Sequence, residues 1–187
     1  MNYLRVFIVS ILCVITASAN ENAGGARTFA KSVVELIAKK KWDEFSKLIH
    51  PNEGVKFAPN VYLEKTAVTL KSEQFLKLIK NKKKKSWGEY EVTGDPIHLT
   101  FNGYYKEFLY KRPYATVKAG KLNDGQRSLG LGNNILDVFP GEDVITVEFY
   151  IPSSDLILPN FGGLNVILKK DETQLYVIGL VNSYWSP

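Results

Sequence analysis

Cysteine is nearly absent: Cys13 is the only one among 187 residues, alongside one methionine and two histidines. Cys13 lies in an apolar leader. A body freed of that leader can form no disulfide and offers neither a thiol nucleophile nor a thiolate ligand. His50 and His98 stand far apart in the chain with no clustered partners, a poor metal set, so neither metal nor cofactor is expected. No Ser-His-Asp or Cys-His arrangement is evident. A strong charge of one sign is missing too. The 24 lysines and arginines include Arg5 of the leader and face 19 acids, which leaves +4 on the remainder. That is far from a nucleic-acid-binding composition. The leader's apolar run, Val6 to Ile15, is shorter than the roughly 20 residues a helix needs to span a bilayer.

What is present begins with that leader. Arg5 gives a positive start, Val6 to Ile15 an apolar centre, and Ala17-Ser18-Ala19 a small-x-small cleavage site. Residues 1–19 therefore read as a signal peptide, and the protein as exported, periplasmic or extracellular, with no membrane span after cleavage. Leu12 before Cys13 is not small, which argues against lipid attachment. Residues 20–27 read as a flexible tail and 28–187 as one domain. About 168 residues suffice for a single core without disulfides.

Ala30, Val33, Val34, Ile37 and Ala38 recur at helical spacing, and Lys39-Lys40-Lys41 interrupts them before Trp42, Phe45, Leu48 and Ile49 resume with shifted phase. Two helices or one bent helix fit equally. His50-Pro51 ends the pattern, and His50 is placed to donate from its ring to a helix C-terminus. Val55-Lys56-Phe57 is a brief extended piece, and Ala67 to Leu70 a strand or a lead-in. Ser72 is expected to cap a helix with Phe75, Leu76 and Ile79 on its buried face. Lys77, Lys80, Lys82, Lys83, Lys84 and Lys85 follow. Such a run is ordinarily solvated, with contact to a polyanion as the weaker alternative.

Residues 87–114 concentrate the chain's aromatic surface. Trp87 to Val92 suits a short strand, Thr93-Gly94-Asp95-Pro96 a turn, and Ile97-His98-Leu99 an extended piece. Thr100 then caps a helix in which Phe101, Tyr104, Tyr105, Phe108 and Leu109 fall on one stripe, until Arg112-Pro113 stops it. Such a stripe packs into a core; the sharper expectation is that some of its tyrosines line a pocket. Residues 115–134 are turn-rich, and Gly130-Leu131-Gly132 lacks the lysine of a phosphate loop. Val144 to Ile151 alternates as a strand, Asn160 to Gly163 reads as a loop, and Leu164–Lys169 with Leu175–Ser183 as a hairpin. The last strand is apolar on both faces, hence central, and Gly179 within it suggests a bulge. Helices followed by long antiparallel strands predict an α+β fold, with the N-terminal helices packed against a strongly curved antiparallel sheet. Such a sheet would form a cone with a pocket at its mouth.

The order Gly54-Val55-Lys56-Phe57-Ala58-Pro59, Trp87-Gly88-Glu89-Tyr90, Gly94 to Thr100, Tyr104 to Tyr110, Gly132-Asn133-Asn134, Val147-Glu148-Phe149 and Tyr184-Trp185-Ser186 resembles a group of exported bacterial proteins of unassigned function. That group is similar to the nuclear transport factor 2-like superfamily. The resemblance covers roughly residues 50–187, and the chain departs from it at Glu91-Val92, Asn165 and Asn182. It implies the cone fold. The superfamily holds both pocket enzymes and binding domains, so it does not choose between them.

Two classes of function remain. A non-catalytic binding domain would use an aromatic-lined pocket, with Trp87, Tyr90, His98, Tyr104, Tyr105 and Glu148 as its candidate residues. Its ligand would be a small apolar molecule or a cell-envelope component. A small isomerase, dehydratase or hydrolase would instead need an acid or base from among Asp95, His98, Asp137, Glu148, Tyr104 and Tyr105. The residues favour binding, name no catalytic group, and leave a homodimer open.

Overall fold

The computed structural model describes residues 24–63, 67–118, 134–154, 161–172 and 174–183. The expected leader, the glycine-rich passage over 119–133 and Tyr184-Trp185-Ser186 lie outside them. Helix α1 spans 24–38 and buries Ala26, Ala30, Val33, Val34 and Ile37. It is formed by residue 24, four residues before Thr28, because Ala26 continues the apolar stripe backwards. The lysine interruption ends it outright. Lys41 N–H donates to the Leu36 carbonyl at 2.9 Å and Lys40 N–H to that of Ile37 at 3.1 Å, with Lys40 in the left-handed region at φ +54°. This is the closing pattern glycine usually provides, here carried by a lysine. A second short helix, α2, follows over Trp42–Ser46, so the two-helix alternative holds.

Strand β1 is Val55–Ala58 and β2 is Val68–Leu70, paired antiparallel. Gly54, just before β1, has φ +75°, and a Cβ there would stand 2.7 Å from the Leu70 carbonyl oxygen, so only glycine fits. Helix α3, Ser72–Asn81, does not begin as expected. Its N-cap is Lys71, whose N–H donates to the Gln74 side chain at 2.9 Å. The Ser72 hydroxyl instead donates to the Ser46 carbonyl at 2.7 Å, tying α3 to the end of α2.

β3 (Lys85–Glu89) and β4 (Pro96–Leu99) form a separate two-stranded hairpin, closed by Gly94 at φ +71°. Thr100 caps α4 (Phe101–Tyr104) by accepting from Gly103 N–H at 3.1 Å, as its position predicts. The α geometry then widens. Over Tyr105–Leu109 the chain makes a π turn, closed by Tyr110 N–H donating to the Tyr105 carbonyl at 2.7 Å. A short 3₁₀ turn, Tyr114–Thr116, and a helical turn α5, Ile135–Val138, precede the last strands.

The alternating run forms β5 within the bounds its pattern predicts, Val144–Ile151. β6 (Gly162–Asp171) and β7 (Gln174–Asn182) complete a five-stranded sheet of order β2-β1-β7-β6-β5. Two expectations are corrected here. The sheet is mixed, because β1 runs parallel to β7 while the other pairs are antiparallel, and it is not strongly curled. Gly162 and Gly163 are strand residues, opposite Ile151 and Tyr150, and not a loop. The expectations for β7 hold. It is central, and the register skips from Ile167↔Gly179 to Leu168↔Val177, leaving Ile178 as the extra residue of a bulge.

Both faces of the sheet are covered. One packs Val147, Phe149, Leu164, Val166, Leu168, Val177 and Leu180 with α1, Phe45 and the aromatic helix. The other gathers Val144, Ile167, Ile178 and Val181 with Ile135 and Phe139 around α5. Asn134, at the start of α5, exchanges hydrogen bonds with the backbone of Leu63, at 2.7 and 3.4 Å. Buried Asn182 donates to the Pro59 carbonyl at 2.8 Å, joining the ends of β7 and β1. The architecture is α+β, a mixed sheet with few helices and a buried aromatic cluster.

Candidate functional site

The π turn and its neighbours explain where aromatic surface is spent. Trp87 is fully buried, stacks on Tyr104 at 4.2 Å and donates its indole N–H to the Leu99 carbonyl at 2.9 Å. Burial pushes the Tyr104 phenol above its ordinary range. Both rings belong to the interior, the ordinary fate of a wide apolar stripe. His98 is exposed on β4, opposite Ser86. Ile97 beside it is buried, so strand alternation turns the imidazole outward. Glu148 lies on β5, opposite Asn165, on the same face as Tyr150. That carboxylate and burial both push the Tyr150 phenol up, burial the more.

Tyr90 is half-buried, and its hydroxyl donates to Glu107 at 2.7 Å. That hydrogen bond, then burial and the carboxylate's charge, push its phenol from 10.0 up to about 12. A folded-state value above the unfolded one means that the neutral form is favoured by folding. Its contribution is complete below the ordinary value near 10 and is lost as pH rises through about 12. In an alkaline absorbance titration Glu107→Ala should bring one phenol back toward 10. A tyrosine profile unchanged by E107A would refute the pairing.

Of the six pocket candidates, Tyr105 borders an open groove of about 440 Å³. The groove lies where three helices meet. Trp42 comes from the start of α2, Leu78, Ile79 and Lys82 from the last turn of α3, and Thr100, Phe101, Asn102 and Tyr105 from the start of α4 and its π turn. The Trp42 ring meets Phe101 edge-on at 5.1 Å and Tyr105 at 5.6 Å. Tyr105 stacks on Tyr110 at 5.8 Å, and Lys40 Nζ stands 4.9 Å from its ring centre. Trp42, Leu78 and Ile79 are only half-buried, so carbon surface remains open to a guest. The volume falls within the range of about 300–1,000 Å³ usual for small-molecule sites.

The sequence placed a pocket at the mouth of a cone; the groove lies instead among the helices. Trp42 and Ile79 were visible only as amphipathic positions, and Leu78 was not singled out. The signal that could have found them is an excess: α3 carries Phe75, Leu76, Leu78 and Ile79, and buries fully only Phe75. Of the lysine run, Lys77, Lys80, Lys82, Lys83 and Lys84 are exposed and Lys85 is half-buried at the start of β3, and Lys82 alone borders the groove. His50 is buried and does not donate to a helix end. Its Nδ1 accepts from the N–H groups of Asn52 and Glu53 at 3.3 and 3.1 Å, which closes the turn before β1. Among the described residues no group of three His, Asp or Glu side chains could hold a metal, and no helix is long and apolar enough to cross a membrane. Comparison with protein-family models, curated proteins and solved structures found no match.

Proposed function

We propose that the protein is an exported, non-catalytic binding domain that holds a small, largely apolar ligand in the groove between α2, α3 and α4. The observation that carries the reading is the groove's lining. The Trp42 indole meets the Phe101 and Tyr105 rings edge-on, two aliphatic side chains stand beside them, and Trp42, Leu78 and Ile79 are only partly buried. Aromatic side chains gain both from burial and from their edge geometry, so a flat or flexible apolar guest is well served there. Of the acid and base candidates only Tyr105 lines the groove, and burial, with Tyr110 adding to it, pushes its phenol up and keeps it neutral. His98 is exposed on the hairpin and Glu148 is on the far strand, and neither borders the groove. Export rests on the leader, and kinship with the nuclear transport factor 2-like proteins on the motif order over residues 50–187.

The test is a titration with N-phenyl-1-naphthylamine, an uncharged probe that brightens in apolar surroundings. The wild type should give a saturable rise. Ile79→Glu, which removes apolar carbon and sets a carboxylate in the groove, should weaken it about tenfold or more. Ile79 is only half-buried, so the variant should keep its fold, checked by circular dichroism. Equal probe affinity in a folded I79E protein would dismiss the groove as the site. Conversion of a ligand recovered from the groove, seen by mass spectrometry, would dismiss the non-catalytic reading.

A further inference from the structure

We infer that the groove's ligand is an anionic amphiphile taken up as a single molecule, its apolar chain lying on Trp42, Phe101 and Ile79 and its carboxylate or phosphate head set against Lys82. The inference rests on the groove being the binding site and adds the charge and the polarity of the guest. The lining contains one cation and no carboxylate. Lys82 is exposed and takes part in no ion pair among the described residues, whereas Lys41 is held by Glu44 at 2.8 Å and Lys169 is engaged by Glu53. The backbone of Lys82 is also fixed. It closes α3 in the left-handed region at φ +52°, with its N–H donating to the Leu78 carbonyl at 3.2 Å. Its side chain therefore leaves from the same turn that supplies Leu78 and Ile79.

The surrounding field has the same sign. Lys83 and Lys84 follow in the chain, exposed, and Lys40 stands over the Tyr105 ring on another side of the groove. The opposing influences are the carbonyl end of α3, equivalent to roughly half a negative charge at most, and Asp43 and Glu44 in the first turn of α2 beside Trp42, Glu44 being paired with Lys41. One full ammonium at the rim outweighs the helix end, and Lys40, Lys83 and Lys84 outnumber the remaining acid. A cationic guest would meet that repulsion. A neutral one would leave the lysine unused, and an anion completes it. Aromatic and aliphatic carbon next to a lone cation is complementary to a molecule with an apolar chain and one charged end.

The test compares decanoate, decanol and decyltrimethylammonium, each below its micellar concentration, by nitrogen–proton correlation spectra of the whole protein. Decanoate should bind most tightly. It should move the indole N–H signal of Trp42 and leave that of Trp87, which is hydrogen-bonded inside the core. Lys82→Glu should weaken decanoate about tenfold. Lys83→Glu makes the same change in net charge outside the lining, and should weaken it less than about twofold. Both positions are exposed, so both variants should fold. Equal affinity for the three compounds would keep the groove as a site and overturn its preference for anions. No shift at Trp42 with any of them would overturn the groove itself. A further arm uses phosphatidylglycerol vesicles. Sedimentation with vesicles that K82E and K83E weaken alike, without monomer binding, would assign the lysines to surface adsorption and overturn the single-molecule guest.

Discussion

Phe57→Ala should cost about 3–5 kcal/mol of folding stability, a value typical of a large ring deleted from a close-packed interior. Phe57 is fully buried on β1 and is where the aromatic cluster converges. It stacks on Phe75 of α3 at 5.9 Å, and meets Trp87 at 5.8 Å, Phe101 at 5.9 Å and Tyr104 at 6.0 Å edge-on or nearly so. Those partners come from α3, β3 and α4, so one ring links the sheet to the hairpin and to two helices. Its removal leaves a void that four other rings cannot close together without giving up their own contacts. The melting temperature should fall by roughly 10 °C for a chain of this size. Phe57→Leu keeps much of the volume and should cost about 1–2 kcal/mol. A loss under about 1 kcal/mol for F57A would mean that the cluster is not the centre of the fold.

Gly179→Val should be a severely damaging small-to-large change, at about 3 kcal/mol, the upper end of the usual range for overpacking. A Cβ at Gly179 would lie 2.8 Å from Phe139 Cζ and 2.9 Å from Ile167 Cγ1. Both neighbours are themselves buried between the sheet and α5, so neither can swing away. Valine also brings two branches to a bulge whose register depends on close approach. Gly94→Ala is the matching control. Its φ is +71°, but nothing lies within 4 Å of the added carbon, so only the backbone cost of about 1 kcal/mol should appear. Chemical denaturation of the two variants checks the order. If G94A proved the worse, steric crowding at the bulge would not be what requires glycine there.

The sequence was most legible where local pattern and local structure have the same cause. Val144–Ile151 alternates because Ile145, Val147, Phe149 and Ile151 face the larger core, and its strand has the bounds that alternation predicts. Thr100 caps because its hydroxyl precedes a helix, whatever the rest of the chain does. Ser72 looked the same and behaves differently: Lys71 holds the cap position, and the Ser72 hydroxyl donates instead to the Ser46 carbonyl, which tertiary packing brings close. Gly162 and Gly163 read as turn residues. They are glycines because a Cβ would meet Arg112 and Tyr114 at one position and Ser183 at the other, all distant in sequence. The π turn left no mark in the stripe, since Tyr105, Phe108 and Leu109 are buried in either geometry. The parallel β1–β7 pairing was illegible for a similar reason. An apolar strand shows that it is covered, and not which neighbour it has or in which direction that neighbour runs.

For the site, residue type misled more than spacing did. Trp87 and Tyr104 stood out as aromatic, and the same bulk took them into the interior. Trp42 and Leu78 drew less attention, yet they stand at the junction of three helices that no single segment encodes. A pocket formed by the ends of several elements has no local periodicity to announce it.

The parallel register of Lys56, Phe57 and Ala58 with Gly179, Leu180 and Val181 has a consequence for how the molecule is made. The strand that carries Phe57 and the one that must zip beside it lie far apart in the chain, with most of the other elements between them. Until they meet, the inner edge of β1 is unpaired, and closure of a loop that takes in most of the other elements must precede this ladder. Folding of the sheet is therefore bound to the arrival of β7: a fragment that stops short of it leaves one edge of β1 without its partner.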